Sequence, residues 1–215
     1  MKVELEAADL SKSYGGRRIF SGLALSATRG LVAVAGPNGS GKTTFLKILA
    51  ALLRPDSGSV RVRNDGVEIS GDARRLAVGW AGPDLSFYDD LSAEENLDFF
   101  RRAAGMRADA ETVARRLAEV GLADAARRHV GAFSTGMKQR LRIAFATLFD
   151  APILLLDEPM NGLDAEGRDI VTQVVAARRR EGAVVLASND PRDLAGADVV
   201  VEIAPPGAKV PGGSR

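Results

Sequence analysis

An α/β fold is predicted for this 215-residue chain, with a mostly parallel sheet, an N-terminal antiparallel ribbon and an inserted helical lobe. Three observations carry the prediction. Residues 31–35, 153–156 and 183–187 are short apolar runs without alternation, as expected of strands covered on both faces. Amphipathic helical segments separate these runs, which implies right-handed crossovers between parallel neighbours. Between residues 92 and 128 the composition shifts to Ala, Arg and Glu with helical spacing, which marks an insertion.

The elements follow in order. Residues 3–10 and 19–28 read as strands joined through the turn Tyr14-Gly15-Gly16. The strand at 31–35 ends in Gly36-Pro37-Asn38-Gly39-Ser40-Gly41, and an amphipathic helix is expected over 42–53. Pro55-Asp56-Ser57-Gly58 supplies turn chemistry, followed by strands at 59–63 and 76–80. In the lobe Leu97 and Phe100, then Val113, Leu117 and Val120, keep helical spacing, with Gly105 and Gly121 as breaks. A helix over 137–149 leads into the strand at 153–156, and a helix starting at 165 leads into that at 183–187. Residues 1–203 are expected to form one domain, with a core and β subdomain at 1–91 and 132–203 and a helical subdomain at 92–131. Residues 204–215, rich in Pro and Gly, are expected to be a flexible tail. There is no internal repeat.

Composition excludes several functions. A hydrophobic content of 46% is enough for a substantial core, so a disordered chain is ruled out. Lys plus Arg (29) against Asp plus Glu (28) gives +1, so no net field favours nucleic acid or an anionic membrane. The pairs Arg101-Arg102, Arg115-Arg116 and Arg127-Arg128 and the run 178–180 stand among acids and read as solvated helix surface. Cysteine is absent, which excludes disulfides and thiolate chemistry. Lys2, Glu4, Glu6 and Asp9 stand where a secretory leader is apolar, and no run reaches about 18 apolar residues. The expectation is a soluble, cytoplasmic chain that reaches a membrane only through a partner.

Gly36-x4-Gly41-Lys42-Thr43 fits a phosphate-binding loop, here between a buried strand and a helix, and so predicts a P-loop NTPase core. Glycines let Gly36, Pro37, Asn38, Gly39, Ser40 and Gly41 wrap closely, so that backbone amides and the helix start, including Thr44, point at phosphates. Lys42 meets the β/γ charge of ATP, and Thr43 offers a hydroxyl to Mg²⁺. Asp157, at the carboxyl end of its strand, can hold the metal's water shell beside Thr43. Glu158 is expected to polarise an attacking water as general base.

Phe133-Ser134-Thr135-Gly136-Met137, followed by Lys138-Gln139-Arg140, resembles the signature loop of ABC-type ATPases. Met160-Asn161-Gly162-Leu163-Asp164 resembles the same family's D-loop, and the motif order covers nearly the whole chain. Thr135 and Met137 look more like the short ATPases of simple exporters, including the cytochrome c biogenesis haem-export type, than like importers. The resemblance implies that Ser134, Thr135, Gly136 and Met137 face the γ-phosphate of an ATP held by a second subunit, in a head-to-tail dimer closing on two ATP molecules. It also implies an integral membrane partner, a place at the inner face of the cell membrane, and adenine against Tyr14. Ser134 also reads as an ordinary helix N-cap, and Tyr14 as a ribbon turn residue.

Two positions depart from the family. Its expected glutamine falls on Pro83, which has no side-chain donor or acceptor, with Asp84 next as a possible substitute. Its expected histidine falls on Asn189, which can donate to a phosphate oxygen but cannot take up a proton. The lone histidine, His129, reads as a polar residue near a helix end. Trp80, Phe87, Tyr88, Phe99 and Phe100 cluster where the family receives a helix of its membrane subunit. Exposure of Trp80, Phe87 or Tyr88 favours docking, while core packing is the alternative for Phe99 and Phe100. The resulting expectation is an ATP-hydrolysing transporter subunit, with slow hydrolysis because of Pro83 and Asn189. The alternatives are a catalytically silent partner in a heterodimer and a soluble ABC-type ATPase without a transport role.

Overall fold

The computed structural model describes residues 2–107 and 109–204. Of the tail expected at 204–215, the residues from 205 onward lie outside the described ones. Strands β1 (Val3–Tyr14) and β2 (Arg17–Ala27) form an antiparallel hairpin turning through Gly15-Gly16. It widens with β4 (Ser57–Asn64) and β5 (Val67–Ile69) into a four-stranded sheet of order β2-β1-β4-β5. The second sheet contains β3 (Gly30–Ala35), β6 (Val78–Ala81), β7 (Ile153–Asp157), β8 (Ala183–Ser188) and β9 (Val199–Glu202). Its order is β6-β7-β8-β3-β9 with every neighbour parallel.

The central strands are apolar throughout because helices or sheet cover both of their faces. Ile153 and Leu155 of β7 and Val185 and Ala187 of β8 pack toward α1 (Lys42–Leu49) and the antiparallel sheet. Leu154, Leu156, Val184 and Leu186 pack the other way, against α5 (Thr135–Ala146) and α6 (Ala165–Glu181). The inserted lobe contains α3 (Ala93–Ala103) and α4 (Ala110–Glu119), and α3 opens with a capping box between Ser92 and Glu95.

Several boundaries differ from the sequence expectation. The first helix ends at Leu49 rather than 53, because Ala51 takes φ 59° and the amides of Leu52 and Leu53 both return to the Lys47 carbonyl. Leu76 is not in a strand; it belongs to the short helix α2 (Gly71–Ala77), and β6 begins at Val78. Strands β5 and β9 were not expected. The arginines are more than solvated surface: Arg116 is 1% exposed and bonds Glu119 and Asp150, tying the lobe to the loop before β7. Arg178 on α6 reaches the same Asp150 carboxylate at 3.4 Å.

Candidate active site

The carboxyl ends of β3, β8 and β7 lie side by side, so the loops leaving them share one edge, where ligands of parallel sheets bind. From β3 the chain turns through residues 36–41 into α1. Gly41 caps that helix at φ 107°, where a Cβ would meet Ile19 Cγ2, and Gly36 approaches the Ile203 carbonyl too closely for any side chain. No acidic residue and no side-chain cap occupies the first turn of α1, which leaves its amide donors directed outward. The Ser40 hydroxyl is buried without a hydrogen-bond partner.

Lys42 folds back over the loop. Its Nζ donates to the Gly36 carbonyl at 2.8 Å and the Pro37 carbonyl at 3.4 Å, and lies 3.2 Å from Glu158 Oε1. Thr43 Oγ1 donates to Asp157 Oδ2 at 2.6 Å. Thr44 follows, half-buried, in the first turn of α1. Successive strand residues point to opposite faces, yet both acids reach toward α1. The reason is local: Glu158 adopts φ 49° while its amide donates to the Ala187 carbonyl at 2.8 Å, so the chain turns as it leaves β7. A left-handed non-glycine residue of this kind costs about 1–3 kcal/mol and persists only where its surroundings fix it.

Asp157 is 3% exposed. Burial pushes its carboxyl above the usual carboxylate range and the Glu158 charge acts in the same direction, against the Thr43 hydrogen bond and Lys42. Its second oxygen, Oδ1, is buried without a partner. A hydroxyl, an unpaired buried carboxylate oxygen and an adjacent set of phosphate-directed amides fit Mg²⁺, which is held by one or two carboxylates with substrate phosphates and water. The orphaned Ser40 hydroxyl and the amides of residues 38–42 likewise fit a polyphosphate.

Asn189 follows β8 and donates from Nδ2 to Asn38 Oδ1 at 3.0 Å, joining this loop to the glycine loop. Tyr14 is half exposed at the end of β1, with Lys12 Nζ 5.6 Å from its ring centroid. Ser134 caps α5, accepting from the Met137 amide at 3.2 Å. Residues 134–137 pack instead beside the turn carrying Asp164: a Cβ on Gly136 would lie 3.1 Å from the Gly162 carbonyl. Asp164 caps α6 through the Gly167 amide at 2.8 Å. Among the described residues no hydrogen bond or ion pair joins 134–137 to the glycine loop.

Pro83 is exposed, and Asp84 pairs with Lys47 at 3.2 Å in the last turn of α1 rather than with Thr43, Asp157 or Glu158. His129 precedes a short 3-10 turn and bridges to Ser92, away from this edge of the sheet. Among the aromatics, Trp80 and Phe87 are partly buried, Phe87 against Phe100 and Phe145. Tyr88 (53% exposed) and Phe99 (42%) form an outward pair with ring centroids 5.1 Å apart. Sequence reasoning assigned no role to Gln139 or Arg142. Gln139 is buried and donates to the Glu158 and Pro159 carbonyls at 3.3 and 3.2 Å, and only its place beside the 133–137 motif pointed to it.

The profile of the ABC transporter family matches residues 22–161. The chain is 38% identical over 181 residues to the daunorubicin resistance ATP-binding protein DrrA3 of Streptomyces coeruleorubidus, covering 81% of this chain and 56% of that protein. It is 34% identical over 183 residues to the cytochrome c biogenesis ATP-binding export protein CcmA of Cupriavidus pinatubonensis, covering 85% of this chain and 81% of that one. The chain thus spans about half the length of the daunorubicin-type relatives it matches. A dimeric ATP-binding cassette, solved in a post-hydrolysis state with ADP and Pi, superposes with TM-score 0.81 at 22% identity. That match covers 93% of this chain and 94% of the other, and at this identity the likeness is one of fold.

Proposed function

The chain belongs to the ABC transporter family, and from that membership we propose that it binds and hydrolyses ATP to drive a membrane exporter. One observation carries the reading: Lys42, Thr43, Asp157 and Glu158 meet at the first turn of α1, beside uncapped amides. The amides within 38–42 and the Lys42 ammonium hold the β- and γ-phosphates, with Thr44 in the same turn, and Tyr14 offers a flat face to adenine. Thr43 and Asp157 hold Mg²⁺, which when bound neutralises charge on the phosphates. Glu158 accepts a proton from water as the water oxygen bonds the γ-phosphorus and the bond to the β-phosphate oxygen breaks, giving ADP and phosphate. Asn189 donates to a γ-phosphate oxygen.

Ser134, Thr135, Gly136 and Met137, with Asp164 behind them, act on the nucleotide of a second copy or a related subunit in a head-to-tail dimer. Among the described residues no hydrogen bond or ion pair ties them to the chain's own glycine loop, which supports a role in trans. The exposed pair Tyr88 and Phe99 suits a docked segment of the membrane partner, and on this reading the chain works at the cytoplasmic face through that partner. No helix among the described residues is long and apolar enough to cross a membrane. Residues 1–203 act as one ATPase domain, with 92–131 as its helical subdomain.

Pro83 and Asn189 favour a second reading, a nucleotide-binding subunit with little turnover beside a more active partner. An ATPase assay on the purified chain separates the two. Mg²⁺-dependent turnover that falls on the order of 10²–10⁴-fold in Glu158→Gln supports the first. Turnover surviving that change removes Glu158 as the base, and its absence from the wild-type chain favours the second.

A further inference from the structure

Glu158 sits in a left-handed conformation with its carboxylate paired to Lys42, and the groups that fix its backbone govern where that carboxylate points. One is the Ala187 carbonyl, which accepts the Glu158 amide at 2.8 Å. Two donors meet the Glu158 carbonyl: the Asn161 amide at 3.2 Å, and Gln139 of α5, whose amide nitrogen also donates to the Pro159 carbonyl. Gln139 is in turn oriented by Arg142, one helical turn further on: Arg142 Nη1 donates to Gln139 Oε1 at 2.9 Å. The same guanidinium extends past α5, and its Nε donates to the Leu85 carbonyl at 3.1 Å, in the loop that follows β6. That loop carries the exposed Tyr88, and Asn96 pins its far end by donating to the Tyr88 and Leu91 carbonyls at 3.0 and 3.3 Å. A planar guanidinium suits this place because its fixed fork holds two acceptors at a set angle, which lysine's point charge does not.

We propose that Arg142 is a positioning residue: through Gln139 it couples the placement of the 82–91 loop to the backbone of Glu158, so that a displacement of the loop reaches the base. Pro83 has no side-chain donor or acceptor and Asp84 is engaged with Lys47 of α1, so the relay toward Glu158 runs from the Leu85 carbonyl. The geometry stands by itself, while its consequence for turnover rests on Glu158 being the base of the proposed ATPase.

The test uses the full chain and three proteins: wild type, Arg142→Ala and Arg140→Ala. Arg140 is the control because it lies on the same helix but donates to the Val120 and Gly121 carbonyls, away from Glu158. Amide hydrogen exchange reads the relay without any nucleotide. Arg142→Ala is expected to speed exchange in the peptides covering both 82–91 and 158–163 about tenfold, by local opening, while Arg140→Ala leaves 158–163 as in wild type. In turnover, kcat of Arg142→Ala is expected to fall on the order of ten- to a hundredfold with ATP affinity within about twofold of wild type, the mark of a misplaced group rather than a lost contact. Unchanged exchange at 158–163 in Arg142→Ala, or equal loosening by Arg140→Ala, overturns the proposal. If wild type shows no turnover, the proposed function fails and the exchange comparison still decides the relay.

Discussion

The ammonium of Lys42 and the carboxylate of Glu158 form an ion pair at 3.2 Å, largely screened from water, with Lys42 also held by the Gly36 carbonyl. The group proposed to meet phosphate and the group proposed to activate water therefore occupy each other. A phosphate that takes Lys42 must part this pair, and in doing so frees Glu158 at the place where its carboxylate is needed.

Competition of this kind has a measurable sign. In Glu158→Gln the amide holds Lys42 less strongly, so ATP affinity should rise about three- to tenfold, the equivalent of a partly screened ion pair, although turnover is lost. Equilibrium titration with a fluorescent ATP analogue checks this. Weaker binding by the variant would show that Glu158 assists the lysine rather than competing for it.

Asn189 reaches the glycine loop at Asn38 but cannot exchange a proton. Asn189→His, which introduces a group titrating near pH 6.5, should raise kcat on the order of tenfold and add an inflection near that pH to the rate profile. Steady-state turnover across neutral pH is the measurement, and a flat profile with unchanged kcat would mean that position 189 contributes only hydrogen bonding.

The lobe is anchored electrostatically as well as by packing. Burial alone would raise the Asp150 carboxyl, but Arg116, Arg178 and Arg115 together hold it below the usual carboxylate range. A depressed value in the folded chain means that the stabilisation is present above the ordinary carboxylate pKa and disappears as pH falls through the lower, folded one. Asp150→Asn should therefore cost about 1 kcal/mol at neutral pH, a modest figure because solvent screens a half-exposed carboxylate, and lower Tm by about 2–4 °C. The difference from wild type should shrink as pH falls below the ordinary carboxylate range and vanish once the wild-type carboxylate itself is protonated. Thermal melts at several pH values test this; a gap that persists in acid would assign the effect to packing.

Much of this was legible in the residues themselves. The runs at 31–35, 153–156 and 183–187 announced buried parallel strands because helices or sheet cover both faces of each. That the glycine loop and the acidic pair would meet was legible because each follows a buried parallel strand, whose carboxyl ends share one edge of the sheet. What escaped was set by contacts distant in sequence. Nothing in Val67–Ile69 or Val199–Glu202 is long enough to declare a strand before its neighbour supplies a ladder. The left-handed turns at Ala51 and Glu158 carry no glycine to signal them. Arg116 looked like one of many surface arginines, and only the approach of Asp150 and Glu119 makes its burial tolerable. The relay through Gln139 and Arg142 required knowing which carbonyls lie beside α5.

Calorimetric titration of ATP with Mg²⁺ into the purified chain, repeated on Lys42→Ala, addresses the nucleotide site without relying on turnover, dimerisation or a membrane partner. Saturable uptake by the wild-type chain, weakened about ten- to a hundredfold when the charge-assisted contacts of the lysine are removed, is the expected result. A wild-type protein that melts cooperatively, and so is folded, yet takes up no nucleotide would contradict the assignment of residues 36–44 as a phosphate cradle.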